Sequence, residues 1–272
     1  MSIEPTELTA LTTLALKREG AVLHVTLNRP ESRNAMSMTM VRELRAVLEQ
    51  AHRSGDTRVI VLRGAGGHFC AGADLKDMAG ARMKLAADPR ALVDTNAAFG
   101  DLCVAYAGTG IATVAVLEGT VMGGGFGLAC VADVAIAAPS ANFRLPETAL
   151  GVVPAQIAPF LVERLGYSQA KRLAVSGARI DAAQALAMGL VHEAPEADAL
   201  EVTLARVLAD ILACAPGAIA ATKALMAKAR FQTPASLVQE AAEVFSAAAL
   251  GPEGTEGTTA FLQKRKASWV PQ

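Results

Sequence analysis

The sequence is poor in the residues from which metal, redox and nucleic-acid sites are built. Its four cysteines, Cys70, Cys103, Cys130 and Cys214, include no C-x-x-C pair. That argues against zinc or a dithiol and for small buried apolar residues in a reducing compartment. The four histidines, His24, His52, His68 and His192, are equally dispersed, with no H-E-x-x-H, so no metal is expected. Charge of one sign is missing too. Lys and Arg total 25 against 26 for Asp and Glu, which gives no basic field for nucleic acid or an anionic membrane. No basic segment followed by an apolar run opens the chain. The uncharged stretch Leu102–Leu117 is interrupted by Gly and Thr and falls short of the roughly 20 apolar residues of a spanning helix. These absences predict a cytoplasmic protein with neither a membrane nor a nucleic-acid partner. There is also no G-x-S-x-G elbow, Walker loop or G-x-G-x-x-G; the run Gly123-Gly124-Gly125-Phe126-Gly127-Leu128 breaks the last pattern at its final position.

What is present is a large potential core. With 272 residues, 52% hydrophobic and 19% charged, the chain suits one large α/β domain, or a main domain with a small appendage. Thr12–Glu19 and Ala21–Asn28 alternate around Gly20 as a hairpin. A helix is predicted from Ser37, where Val41, Leu44, Val47, Leu48 and Ala51 share one face. Val59–Leu62, Thr113–Leu117 and Val134–Ala138 read as strands, and Asp94–Ala107 and the residues after Gly123 as helices. That alternation argues for an α/β core over residues 1–197. Residues 198–272 read as a helical region, with helices over Ala199–Ala213, Ala218–Ala229, Ala235–Ala249 and Thr255–Ala267 set off by Pro216, Pro234 and Pro252.

Two passages carry chemistry. His68 to Met78 and Glu118 to Leu128 are each glycine-rich and each follow a predicted strand. Small residues let a ligand approach the backbone, and a helix N-terminus presents free N–H groups and the positive end of its dipole. Two such groups aimed at one carbonyl oxygen form an oxyanion hole, worth about 3–4 kcal/mol per donor. Taken singly, either passage reads equally well as glycines that permit tight turns.

Together, and in this order, the passages resemble the enoyl-CoA hydratase/isomerase (crotonase) superfamily. The likeness runs from Leu27-Asn28-Arg29-Pro30 and Asn34-Ala35, through both passages, to the segment Ala260–Lys266. It implies a crotonase-like ββα spiral core with a C-terminal helical trimerisation region, assembled as a homotrimer or a dimer of trimers. It implies an acyl-CoA substrate and no separate cofactor. The N–H groups of Ala73 and Gly124 would form the oxyanion hole. Coenzyme A would be held by Ser32, Arg33 and Ala35, by Ala71, Gly72, Ala73, Asp74, Leu75 and Lys76, by Gly124, and by Phe261 and Lys264, the last two from a neighbouring subunit. Gln263–Lys266 also reads simply as a solvated helix end.

In two-carboxylate hydratases of this family, one glutamate follows the oxyanion glycine by three residues and a second lies twenty later. Here the second is Glu147, among Leu145, Pro146, Leu150 and Val152, whereas Gly127 stands at the first position. An apolar pocket raises a carboxyl pKa towards the working pH, which suits proton transfer. Gly127 is expected to leave a space facing the pocket. Asp133 is expected to be structural. Gly127-Leu128 and the segment Leu150–Phe160 resemble the branch that hydrates 3-methylglutaconyl-CoA in leucine breakdown or isohexenylglutaconyl-CoA in terpene breakdown. Such substrates carry a distal carboxylate, for which Arg144, Lys76, Arg82 and Gln156 are all candidates. Double-bond isomerisation, which one carboxylate can run, is a second reading. A non-catalytic or RNA-binding member of the fold is a third, and the near-neutral charge and two tyrosines give it little support.

Overall fold

A computed structural model of the chain describes residues 11–271. It divides into two compact units. One takes in the chain before Gly108 together with Thr113–Leu204, and the other takes in Gly108–Ala112 and the chain from Ala205 onward.

In the first unit, β1 (Leu14–Glu19) and β2 (Val22–Leu27) pair antiparallel, as their alternation predicts. The sheet continues through β3 (Val59–Gly64), β4 (Ala112–Leu117) and β6 (Val134–Ala137), in the order β1-β2-β3-β4-β6. The pairs β2/β3 and β4/β6 are parallel. Every residue of β4 is buried, as are Val59–Leu62. This explains why these strands read as unbroken apolar runs rather than alternating ones. A second sheet holds β5 (Thr120–Met122), β7 (Asn142–Arg144) and β8 (Arg179–Asp181), each of three residues.

The helices of this unit are α1 (Met38–Ser54), α2 (Leu75–Lys84), α3 (Ala91–Gly108), α4 (Gly124–Val131), α5 (Ala158–Ser176) and α6 (Ala182–Ala187). The Ser37 side chain caps α1 by accepting from the Met40 N–H at 3.2 Å. The stripe Met40, Val41, Leu44, Val47, Leu48 and Ala51 is buried, each larger side chain contributing about 1.5–3 kcal/mol. Cys70, Cys103 and Cys130 are buried and Cys214 is exposed; burial pushes the Cys70 thiol up to about 11 and the Cys130 thiol to about 12.

Asn34 is fully buried and ties three segments together. Its amide donates to the carbonyls of Ala65 (2.9 Å) and His68 (2.6 Å) and accepts from the Arg29 N–H at 2.8 Å. Asn34→Ala leaves all three backbone groups unpaired, so denaturant titration is expected to read a loss on the order of 3 kcal/mol.

The second unit contains most of α7 (Leu200–Ala213), then α8 (Pro216–Ala229), α9 (Pro234–Leu250) and α10 (Pro252–Leu262). Pro216, Pro234 and Pro252 each stand at a helix start, where their missing N–H costs nothing. The last helix stops at Leu262 instead of running to Ala267. Lys264 adopts a left-handed φ of 54°, and the chain folds back so that Arg265 makes a two-pronged pair with Glu256 at 2.7 and 2.8 Å. Those hydrogen bonds hold the Glu256 carboxyl down at about 2.

Candidate active site

The two glycine-rich passages lie side by side. Cys70 bridges Val121, the Cys70 N–H donates to the Thr120 carbonyl (2.9 Å), and the Met122 N–H donates back to the Cys70 carbonyl (2.9 Å). On its other flank the first passage is stitched to the segment before α1. The Ala71 N–H donates to the Arg33 carbonyl (2.9 Å), the Met36 N–H to Gly72 (2.7 Å) and the Asp74 N–H to Met36 (3.0 Å). Ser32, Arg33 and Ala35 are thereby brought against Ala71–Lys76. The Asp74 carboxylate caps α2 through the Lys76 N–H (2.8 Å) and pairs with Arg29 at 2.8 Å. Burial works against its charge, but these partners outweigh that and hold it below the usual carboxylate range.

Most backbone groups here are spoken for. The N–H groups of Ala73 and Gly124 have no acceptor among the described residues. Gly124 is the first residue of α4, where the helix leaves its N–H groups free. Gly123 before it has φ 49° and ψ −117°, and a Cβ there would sit 3.0 Å from Glu147 Oε1 and 3.3 Å from Gly72 Cα. Only glycine allows the two passages and the glutamate to meet.

Glu147 reaches this point because β7 delivers it past Pro146 into a single turn, where the N–H groups of Leu150 and Val152 each donate to its carbonyl at 3.0 Å. Its Oε2 is buried with no partner among the described residues. Burial raises its pKa above the ordinary glutamate value. The carboxylate lines a cavity of about 460 Å³ together with Ala71, Gly72, Ala73 and Gly123. Pro146, Leu150 and Val152 line it as well, as does one face of α2, made of Leu75, Met78, Ala79 and Arg82. Leu75 and Leu150 remain 68% and 65% exposed. The cavity holds the unpaired Ala73 N–H and the buried Glu147 carboxylate among apolar side chains, and Gly123 in its lining directly precedes Gly124 with its unpaired N–H.

Residues 17–272 match the profile of the family described as enoyl-CoA hydratase/isomerase. The chain belongs to that family. Over 255 residues it is 36% identical to the 2,3-dehydroadipyl-CoA hydratase of Escherichia coli K12, spanning 93% of this chain and 96% of the relative. Two solved structures superpose with a TM-score of 0.92. One, an enoyl-CoA hydratase/isomerase from Marinobacter aquaeolei, is 50% identical and covers 95% of this chain and 99% of that one. The other, Pseudomonas aeruginosa AtuE, is 53% identical and covers 96% and 100%. The fold is therefore the crotonase fold with its C-terminal helical region. The protein is an enzyme of the hydro-lyase kind with an acyl-CoA substrate.

Within this hydratase/isomerase fold, one expectation needs correcting. Gly127 does not leave a space open to the pocket. A Cβ on it would lie 2.4 Å from Ile157 Cγ2 and 3.4 Å from Phe99 Cζ. Ile157 is buried, so an apolar wall stands where a second carboxylate was looked for. Asp133 is structural, as expected: its carboxylate accepts from the N–H (2.7 Å) and hydroxyl (3.0 Å) of Thr113. Phe261 and Lys264 lie in the second unit, Phe261 exposed near the end of α10 and Lys264 just past it.

Sequence reasoning named Leu75 and Arg82 but missed Met78, Ala79 and the helix α2 that places all four on one wall. A signal was there: Leu75, Met78, Ala79 and Arg82 follow the i, i+3, i+4, i+7 rule behind an Asp cap. It also missed Arg29, whose role appears only once Asp74 is folded against it.

Proposed function

We propose that this enzyme adds water reversibly across the 2,3 double bond of a branched glutaconyl-CoA, of the 3-methylglutaconyl or isohexenylglutaconyl type. The observation that carries the hydration reading is the buried, unpartnered Oε2 of Glu147 in a cavity shared with Ala73 and Gly123. In this reading the thioester oxygen accepts from the N–H groups of Ala73 and Gly124, which hold the negative charge that develops as the enolate forms. The Glu147 carboxylate takes a proton from water as the water oxygen bonds to C3. The resulting carboxylic acid then returns a proton to C2 on the same face. Atoms and charge balance with one carboxylate acting twice. Coenzyme A runs along Ser32, Arg33, Ala35 and Ala71–Lys76, with Phe261 and Lys264 serving a neighbouring subunit of a trimer or hexamer. The large exposed apolar residues of the second unit, Met226, Phe231, Phe245 and Leu250, suit subunit packing. A dicarboxylic substrate is favoured by the E. coli relative, whose name specifies the thioester of a dicarboxylic acid.

Double-bond isomerisation is the second reading, favoured by Ile157 and Phe99 filling the place of a second carboxylate. Turnover of crotonyl-, 3-methylglutaconyl- and isohexenylglutaconyl-CoA decides the matter. Hydration consumes the 2-enoyl chromophore, with the branched diacid thioesters expected to be fastest. A 3-enoyl thioester converted to its 2-enoyl isomer, with no alcohol formed from any of the three, would instead establish the isomerase.

A further inference from the structure

A glutaconyl chain needs a partner for its distal carboxylate, and the structure separates the four candidates. Arg144 Nε donates to the Gly177 carbonyl at 2.9 Å, on the strand that leads to Glu147. The Gln156 amide is held by Asn96 at 2.8 Å and lies against Gly100. Lys76 lines a different cavity, which it shares with Arg42, Lys84, Asp77, Asp88 and Asp94 and which does not contain Glu147. Only Arg82 lines the cavity that contains Glu147. Its guanidinium has no hydrogen bond or ion pair among the described residues, unlike Arg29, Arg63 or Arg164. It is the one cation in a lining otherwise made of glycines, alanines, Pro146, Val152, Leu75, Leu150, Met78 and a single acid, Glu147.

The neighbouring pocket sharpens the choice. It shares Ala73 and Met78 with the first cavity, holds about 140 Å³, and is bounded by Met36, Leu92 and Phe99. Its only charged groups are Asp74 and Asp77, already engaged by Arg29 and by the Met38 N–H. A carboxylate there would meet two like charges and no cation, while an uncharged branch is compatible with the methionine, leucine and phenylalanine walls. From Ala73, then, an acyl chain has an apolar route and a route towards a positive charge.

We propose that Arg82 is the specificity residue for a dicarboxylic acyl-CoA, pairing with the carboxylate at the far end of the acyl chain. The inference rests on the glutaconyl reading above and assigns the residue that would recognise it. A planar guanidinium grips a carboxylate with two parallel hydrogen bonds, so Arg82→Lys keeps part of the effect and Arg82→Met none.

Calorimetric binding of glutaryl-CoA and butyryl-CoA tests this without turnover, because both are saturated. The wild type should bind glutaryl-CoA more tightly. Arg82→Met should weaken glutaryl-CoA by about 10- to 100-fold, the range for a hydrogen bond to a charged group, and leave butyryl-CoA alone. Equal weakening of both ligands would overturn the proposal and move Arg82 to the phosphates of coenzyme A. An intact glutaryl preference with a lowered melting temperature would also overturn it, leaving Arg82 a helix-end charge on α2. So would a wild type with no preference. A preference that depends on Arg82 in an enzyme that hydrates none of the three enoyl thioesters would sustain this inference while defeating the proposed reaction.

Discussion

Glu147→Gln is expected to lower hydration turnover at neutral pH by about 100-fold or more, while acyl-CoA binding stays close to wild type. Gln keeps the size of the side chain and removes the proton acceptor, so only the step in which water is deprotonated should suffer. The pH dependence is signed. Burial raises the Glu147 pKa, so the acidic limb of wild-type kcat/KM should lie above the ordinary glutamate range, with activity falling as the pH drops through it. Stability moves the other way. A carboxyl whose folded pKa is raised favours the fold while protonated, and that advantage is lost as the pH rises through the folded value. Glu147→Gln should therefore melt higher than wild type at pH 8, with the gap closing below the ordinary glutamate pKa. More than a third of activity retained, or an unchanged pH limb, would remove Glu147 from the chemistry.

Substitutions at Gly127 should be costly, and for a reason that involves no catalysis. Alanine is the better helix former by about 1 kcal/mol, yet here its Cβ would lie 2.4 Å from Ile157 Cγ2. We expect Gly127→Ala to destabilise by about 1–3 kcal/mol, the usual scale of overpacking. Gly127→Glu adds a carboxylate with no partner in an apolar site and should cost about 3–5 kcal/mol, read from the urea midpoint. It should not speed crotonyl-CoA hydration. In an Ile157→Ala background, Gly127→Ala should become nearly neutral, a coupling of at least about 1 kcal/mol between the two positions. Additive effects in the double variant would mean that the helix shifts to relieve the clash.

How far the sequence could be read depended on whether the deciding contact was local. The α1 stripe and its Ser37 cap are periodic features within one segment, and the structure returns them almost residue for residue. Glu147 and both glycine passages were recognisable because resemblance and chemistry fell on the same short motifs. Three-residue strands such as β7 and β8 are too short to display alternation. Helix α5 was hidden by Gly166, whose φ of 70° interrupts its middle. The surroundings of Gly127 were illegible for a different reason. What fills them comes from Phe99 on α3 and Ile157 just ahead of α5, and no spacing rule connects those segments. The same holds for the overlong last helix, cut short by the return of Arg265 to Glu256.

The filled niche beside Gly127 also bears on how such an enzyme can change over generations. A lineage that gained an acid at 127 first would pass through a protein destabilised by the clash and the stranded charge. One that trimmed Ile157 to alanine first would open a void, at about 2–5 kcal/mol. Against a total stability of about 5–15 kcal/mol, either first step removes a large share, and neither yields a working second carboxylate by itself. Two sites must change nearly together, so drift between one-carboxylate and two-carboxylate forms is blocked by packing, whatever selection on the reaction demands.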